Sequence, residues 1–285
     1  SYISKELLFN DLTKGISYYK FLESIDPEKD FDKIYKKLSE LSQKTFARKN
    51  ILIHTICDDK GYKNTFDGID VLINSLESGN FDYNKFELQT EIKNEGFATA
   101  SMVNYVARFG NFVNHGFKYT GVLKVFKVLL SYDYLWNNIR VLGGAYGCSA
   151  VFGRSGNAGF VSYRDPNILN TNKVYEGIVE YAKNFTAGDR EMTKSVIGAI
   201  SEMDIPLTPS REGMKGLSAY YSKVRHEDMQ KEREEVLNTS EADIRSLAPL
   251  LEAVLSDKLI CAVGNEDLIE KDKKLFKEVK HLFKD

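Results

Sequence analysis

The sequence predicts an α+β fold in which an antiparallel or mixed sheet is covered by helices. Two extended runs, residues 148–152 and 159–164, flank a Gly and Asn cluster at 153–157 and read as a hairpin. Apolar residues recur at helical spacing over several longer stretches. Strands and helices do not alternate strictly, as a parallel α/β order would require. With 285 residues and 42% hydrophobic side chains, the chain can fill one large or two ordinary domains of roughly 150 residues.

Residues 30–46 place Phe31, Ile34, Leu38, Leu41 and Phe46 near helical spacing, with Lys36, Lys37 and Glu40 between them, which predicts an amphipathic helix. Residues 50–57 form a β-branched run stopped by Asp58, Asp59, Lys60 and Gly61, and so read as a buried strand and turn. A second helix follows over about 64–76. The same order recurs near the other end: a helix over 241–255, a strand over 258–263, a turn at Gly264 and a helix over 267–283. Pairing Leu52 with Leu259 suits two copies of one domain better than a short solenoid repeat. The charged stretch 81–95 between them marks a domain boundary, with residues 1–85 ending one copy and 86–285 forming the next.

Residues 98–106, with Met102, Tyr105 and Val106, favour a strand. Helical periodicity over 121–141 is carried by Val122, Phe126, Leu129, Leu135, Trp136 and Ile139, with Ser131, Tyr132 and Asp133 as an interruption. After the hairpin, Asp165, Pro166 and Asn167 end the strand. Residues 171–236 read as several helices, separated near Gly188 and at 206–209, with Asp189 as an N-cap.

Thirty-nine basic against 41 acidic residues leave a net charge of −2 with no basic half, which argues against a nucleic-acid binder. The apolar runs fall far short of the ~20 residues that span a bilayer, and no signal-peptide pattern opens the chain, so no membrane partner is expected. Cys57, Cys148 and Cys261 are odd in number and sit among apolar neighbours, which predicts buried thiols and a cytoplasmic setting. The start at Ser1, without an initiator Met, predicts a piece of a longer polypeptide.

His54, His115, His226 and His281 are all the histidines, and none lies in zinc-binding helix spacing. His226 opens a charged run through Glu235 that reads as a solvated helix face. The run at 143–147 follows a helix and precedes a strand, the reverse of a phosphate-binding loop. On pattern alone, Gly143 and Gly144 supply positive φ to stop the helix, and Arg140 lies near its C-terminal carbonyls. Asp133, Asp165 and Asp189 are explained locally by a helix interruption, a turn and a cap.

The block Tyr-Leu-Trp-Asn-Asn-Ile-Arg-Val-Leu-Gly-Gly-Ala-Tyr-Gly at 134–147 is followed by Ser-Tyr-Arg-Asp-Pro-Asn at 162–167. Glu-Arg-Glu-Glu-Val-Leu at 232–237 and Asp-Ile-Arg at 243–245 come later. Together they resemble the last domain of the pitrilysin/insulinase-type (M16) zinc metallopeptidases, most closely the presequence protease branch. The resemblance is good over 98–285 and weak over the first 80 residues. It implies four related α+β domains of the LuxS/mitochondrial processing peptidase type, arranged as two bowls around a closed chamber. Zinc is bound in the first domain by an inverted His-x-x-Glu-His motif, which this sequence lacks.

By that resemblance, residues 1–85 end the third domain and 86–285 form the fourth. The chain then holds no catalytic or metal-binding residue of its own. Zinc belongs to its partner, the N-terminal half of the same polypeptide, and the substrates are unfolded peptides. The family's Arg and Tyr that reach the substrate near the zinc match Arg140 and Tyr146. A phenol and a guanidinium aimed at a carbonyl oxygen that gains negative charge stabilise the transition state. Gly143 and Gly144 then allow close approach of an extended peptide. The alternative is a catalytically inactive structural or partner subunit of the same fold.

Overall fold

A computed structural model describes residues 2–79 and 86–283. The expected boundary after Lys85 thus falls at a residue outside the described ones. In chain order the elements begin with α1 (Lys5–Lys14), α2 (Ile16–Glu23), α3 (Phe31–Thr45) and α4 (Asp59–Ser75). Next come β1 (Glu95–Thr99), β2 (Asn104–Asn111), α5 (Val122–Leu129), β3 (Gly147–Phe152) and β4 (Asn157–Asp165). A helical series follows: α6 (Leu169–Glu176), α7 (Ile178–Lys183), α8 (Asp189–Met203), α9 (Pro209–Ser222), α10 (His226–Leu237), α11 (Glu241–Ser246) and α12 (Ala248–Ser256). The chain ends with β5 (Leu259–Asn265), α13 (Glu266–Lys271) and β6 (Glu278–His281).

The chain divides into two compact units, one of Ser1–Phe9, Gln89–Ile205 and His226–Asp285, the other of Asn10–Leu88 and Pro206–Arg225. The first holds a six-stranded mixed sheet in the order β3-β4-β2-β5-β1-β6. β3, β4, β2 and β5 pair antiparallel, whereas β1 runs parallel to both β5 and β6. The fold is therefore α+β with a mixed sheet, and the hairpin over Gly153 to Asn157 forms as its turn residues dictate.

Alternation divides the sheet into two faces. Val106, Ala150, Phe160, Ile260 and Ala262 point into a core completed by Leu123, Phe126, Leu130, Leu135, Ile139, Tyr175 and Leu251 from the helices. Tyr105 and Tyr163 are exposed. At the sheet's other end, the Tyr2 hydroxyl donates to Glu95, which also pairs with Lys280.

The charged face expected along α10 is only partly solvated. Glu232 is 8% exposed, accepts from the Tyr119 hydroxyl at 2.6 Å and from Arg154, and lies 3.5 Å from Lys124 Nζ. Burial pushes its pKa up, but Tyr119, Lys124 and Arg154 outweigh that and hold it below the ordinary carboxylate value. Glu235 accepts from the Gly121 amide at 2.6 Å and the Thr120 hydroxyl at 3.1 Å, satisfying the start of α5. These two carboxylates explain the Glu-Arg-Glu-Glu motif structurally.

Several sequence expectations are corrected. Residues 51–57 join no ladder. In the second unit Ile56 and His54 lie against Gly213 of α9, so this run meets a helix where a strand partner was expected. The 52/259 correspondence thus has no counterpart in paired strands. The helix expected over 267–283 stops at Lys271, because β6 pairs parallel to β1 and Phe276 covers Gly96. Gly264 lies inside β5 rather than in a turn. The helix over 241–255 breaks at Leu247, with Pro249 in the first turn of α12. The run 98–106 spans two strands, β1 and β2. Gly188, not Asp189, is the N-cap of α8, and Asp189 is its first helical residue. Cys57 is exposed, and Cys148 and Cys261 are only half-buried.

In the second unit, α3 forms over nearly the expected range. Yet Phe31, Tyr35, Leu38 and Leu41 are 56–66% exposed, so among the described residues its apolar stripe is left open.

Candidate functional site

The site lies where the helical stretch after α5 meets the start of β3 and the end of β4. Residues 130–134 and 136–141 continue α5 with π-type hydrogen bonding, and the Leu142 amide reaches the Asn137 carbonyl at 3.0 Å. Such π segments recur at functional positions because they rotate side chains off the regular helical face. Ile139 stays in the core, whereas Trp136, expected on the apolar face, is 37% exposed. Arg140 lies four residues on, so the two share one face, and its guanidinium sits 4.1 Å from the indole centroid.

The chain then bends through Gly143 and Gly144. Gly144 has φ +78, which explains its glycine, while a side chain there would meet only Pro166 at 3.5 Å. Gly143 lacks the positive φ expected of it. Its constraint is contact, since an added Cβ would fall 2.5 Å from the Ile139 carbonyl. Tyr146 emerges from the bend 65% exposed, with its ring centroid 5.7 Å from the Arg140 guanidinium. The structure thus brings Arg140, Gly143, Gly144 and Tyr146 together.

The Tyr-Arg-Asp-Pro-Asn motif holds this bend in place. The Asp165 carboxylate is fully buried, accepting from the Asn167 amide at 2.8 Å and the Thr171 hydroxyl at 2.7 Å. Burial pushes its pKa up, which its hydrogen bonds only partly offset. Asn167 in turn donates its side-chain amide to the Gly143 carbonyl at 2.7 Å. Asn104, also fully buried, donates to the Asp165 carbonyl at 2.8 Å and accepts from the Asn265 amide at 2.9 Å, tying β2, β4 and β5 together beneath the site. The turn reading of Asp165 is correct. Its clamp on the glycine bend depends on contacts between distant segments.

Sequence reasoning assigned no role to Tyr163, Tyr105 or Arg164. Tyr163 meets Tyr146 edge-on at 5.9 Å and Tyr105 at 5.3 Å, and the Arg164 guanidinium lies 5.6 Å from the Tyr163 ring. Tyr105 and Tyr163 stand at exposed positions of an alternating strand pair, a signal available in the sequence once the hairpin is drawn. Cys148, two residues after Tyr146, has its thiol pushed up to about 11 by burial, with the Arg140 charge acting the other way. It is a poor nucleophile at neutral pH.

Among the described residues, no three His, Cys, Asp or Glu side chains gather to hold a metal ion. His115 faces Asp257 at 3.2 Å and His281 faces Glu266 at 3.7 Å, each a lone pair. Zinc takes three or four donors at about 2.0–2.3 Å, and these donor sets do not fit it. Among the described residues no helix is long and apolar enough to cross a membrane.

The site is thus a glycine bend that presents Arg140 and Tyr146 on a mixed sheet with a helical cover. Residues 94–266 match the family model of the PreP C-terminal domain, and the chain belongs to that family. It is 37% identical over 284 residues to the HypA protein of Clostridium perfringens, covering 100% of this chain and 29% of that one. It is 29% identical over 260 residues to presequence protease 1, chloroplastic/mitochondrial, of Arabidopsis thaliana, covering 90% of this chain and 24% of that one. The chain therefore spans between about a quarter and a third of these relatives' length. The peptidase M16 inactive domain from Pseudomonas fluorescens superposes with a TM-score of 0.51 at 11% identity, over 72% of this chain and 51% of that one, and shares the fold.

Proposed function

We propose that this chain is the C-terminal, non-metal-binding portion of an M16 zinc peptidase that degrades unfolded peptides, and that the Arg140/Tyr146 surface lines its chamber and touches the substrate. The exposed pairing of a guanidinium and a phenol at a glycine bend carries this reading. A guanidinium stacked on Trp136 is held in place yet keeps its planar donor edge free for a peptide carbonyl or carboxylate. The Tyr146 hydroxyl can donate to a carbonyl oxygen as negative charge develops there. Zinc and the general base belong to the N-terminal half in this reading, and the uncovered stripe on α3 favours such a partner. By itself the chain is inactive.

A second reading, a structural subunit without chemistry, is favoured by the shared fold with a peptidase domain described as inactive. In that case the surface would bind peptide without contributing to turnover.

Trp136 is the only tryptophan in the chain and lies against Arg140, so its fluorescence reports directly on the site. Titrating the chain with an unstructured, tryptophan-free peptide is expected to give a saturable change. Arg140→Ala should raise Kd about tenfold, the scale of one hydrogen bond to a charged group. No saturable change, or an unaltered Kd in the variant, would contradict the proposal.

A further inference from the structure

The register of β4 against β2 breaks at the site. Asn104 pairs with Asp165 and Val106 with Ser162, so Tyr105 alone opposes both Tyr163 and Arg164. This is a β-bulge, a device that re-aims side chains and is common beside functional sites. Its effect is that two consecutive residues, Tyr163 and Arg164, are both exposed where a regular strand would turn one of them inward. Arg164 adopts φ +51, a left-handed conformation that is strained for a side-chain-bearing residue. The other two such residues described, Lys223 and Lys258, lie at a helix end and just before a strand, whereas Arg164 lies inside one.

The strain places a second guanidinium on the surface that Arg140 and Tyr146 occupy. Arg140 faces Tyr146, Tyr146 meets Tyr163, and Arg164 lies over Tyr163, so two cations bracket a pair of rings. Among the described residues neither guanidinium has an acidic partner or a hydrogen bond. Asp165, next to Arg164 in sequence, is turned inward with its oxygens taken by Asn167 and Thr171. Folding thus leaves two unneutralised cations side by side with apolar ring faces, a surface suited to a carboxylate-bearing peptide segment.

We propose that Arg164 is a specificity residue that receives a carboxylate of the bound polypeptide. This rests on the reading of the Arg140/Tyr146 surface as a peptide site and adds to it a preference among peptides. The carboxylate is either an acidic side chain or the free C-terminus of the peptide. Arg164 acts on affinity, not on the bond-breaking step.

The test uses the chain with Trp136 fluorescence and four matched peptides: neutral and amidated, Glu-containing and amidated, Lys-containing and amidated, and neutral with a free C-terminus. One of the two carboxylate peptides should bind about fivefold more tightly than the neutral one, the upper range of an exposed ion pair, and the Lys peptide more weakly. Which carboxylate peptide gains identifies the source. High salt should erase the preference. Arg164→Asn, whose side chain tolerates the left-handed backbone, should bring the preference close to one, and Arg164→Lys should keep part of it. Equal binding of all four peptides to the unaltered chain, or a preference that survives in Arg164→Asn, would overturn this inference alone. The peptide series on the unaltered chain stands even if a variant misfolds. No saturable change with any peptide overturns both the inference and the reading beneath it.

Discussion

On the proposed function, Arg140→Ala introduced into the full-length polypeptide is expected to lower kcat/KM for an unfolded peptide by about 10²- to 10³-fold. That is the usual cost of removing one donor from a developing oxyanion. Tyr146→Phe should act comparably, because it deletes only the hydroxyl. The loss should appear in kcat more than in KM, since the donors interact most strongly with charge that exists only in the transition state. If both side chains address one oxygen, the double variant should lose less than the product of the two single losses. Neither change should unfold the protein: Tyr146 is 65% exposed, and an exposed cation–π contact such as Arg140 over Trp136 contributes only about 0.5–1 kcal/mol. Steady-state kinetics and thermal melts on the same preparations check both parts. Normal kinetics in both variants would leave the structural-subunit reading standing.

Glu232→Ala is expected to destabilise the sheet-bearing unit by about 3 kcal/mol, lowering its Tm by roughly 6–12 °C. The carboxylate is buried and serves Tyr119, Arg154 and Lys124 together, so its removal strands a phenol and two cations that folding has drawn to one point. The low end of the range for broken buried pairs applies because Arg154 and Lys124 still reach water. The effect also has a pH signature. With its native pKa held below the ordinary carboxylate value, Glu232 contributes its full stability above about pH 4.3, the unfolded value. That contribution fades as pH falls through the lowered native pKa. Glu232→Gln should therefore lose part of the acid sensitivity of the melt as well as stability. A Tm unchanged in both variants would show that the network does not hold α10 to the sheet.

Much of the fold is legible where local chemistry decides it. The hairpin over Gly153 to Asn157, the amphipathic α3 and the helix stop at Gly144 all follow from residues within a few positions of one another. The misreadings arise where distant partners decide. Residues 51–57 are more β-branched than β5, yet a strand needs a neighbouring strand, and here His54 and Ile56 meet a helix at Gly213 instead. The final stretch has helical spacing but pairs with β1, nearly 200 positions earlier in the chain.

Arg140 and Tyr146 are legible through their motif, and so are the two glycines. Tyr105 and Tyr163 follow from strand alternation, but the exposure of Arg164 beside them does not, because a bulge displaces alternation by one residue and leaves no trace in composition. Asn167 likewise reads as an ordinary turn residue until its side chain is seen on the Gly143 carbonyl.

The central claim is that a polypeptide lies against the Arg140/Tyr146 bend. Its most direct test is photo-crosslinking of the assembled peptidase with an unfolded peptide that carries a benzophenone side chain, followed by mapping of the labelled residues. The account predicts label within 140–147 and at Tyr163 or Arg164, reduced by excess unlabelled peptide. Label confined to other parts of this chain, or absent from it while the rest of the enzyme is labelled, would contradict it.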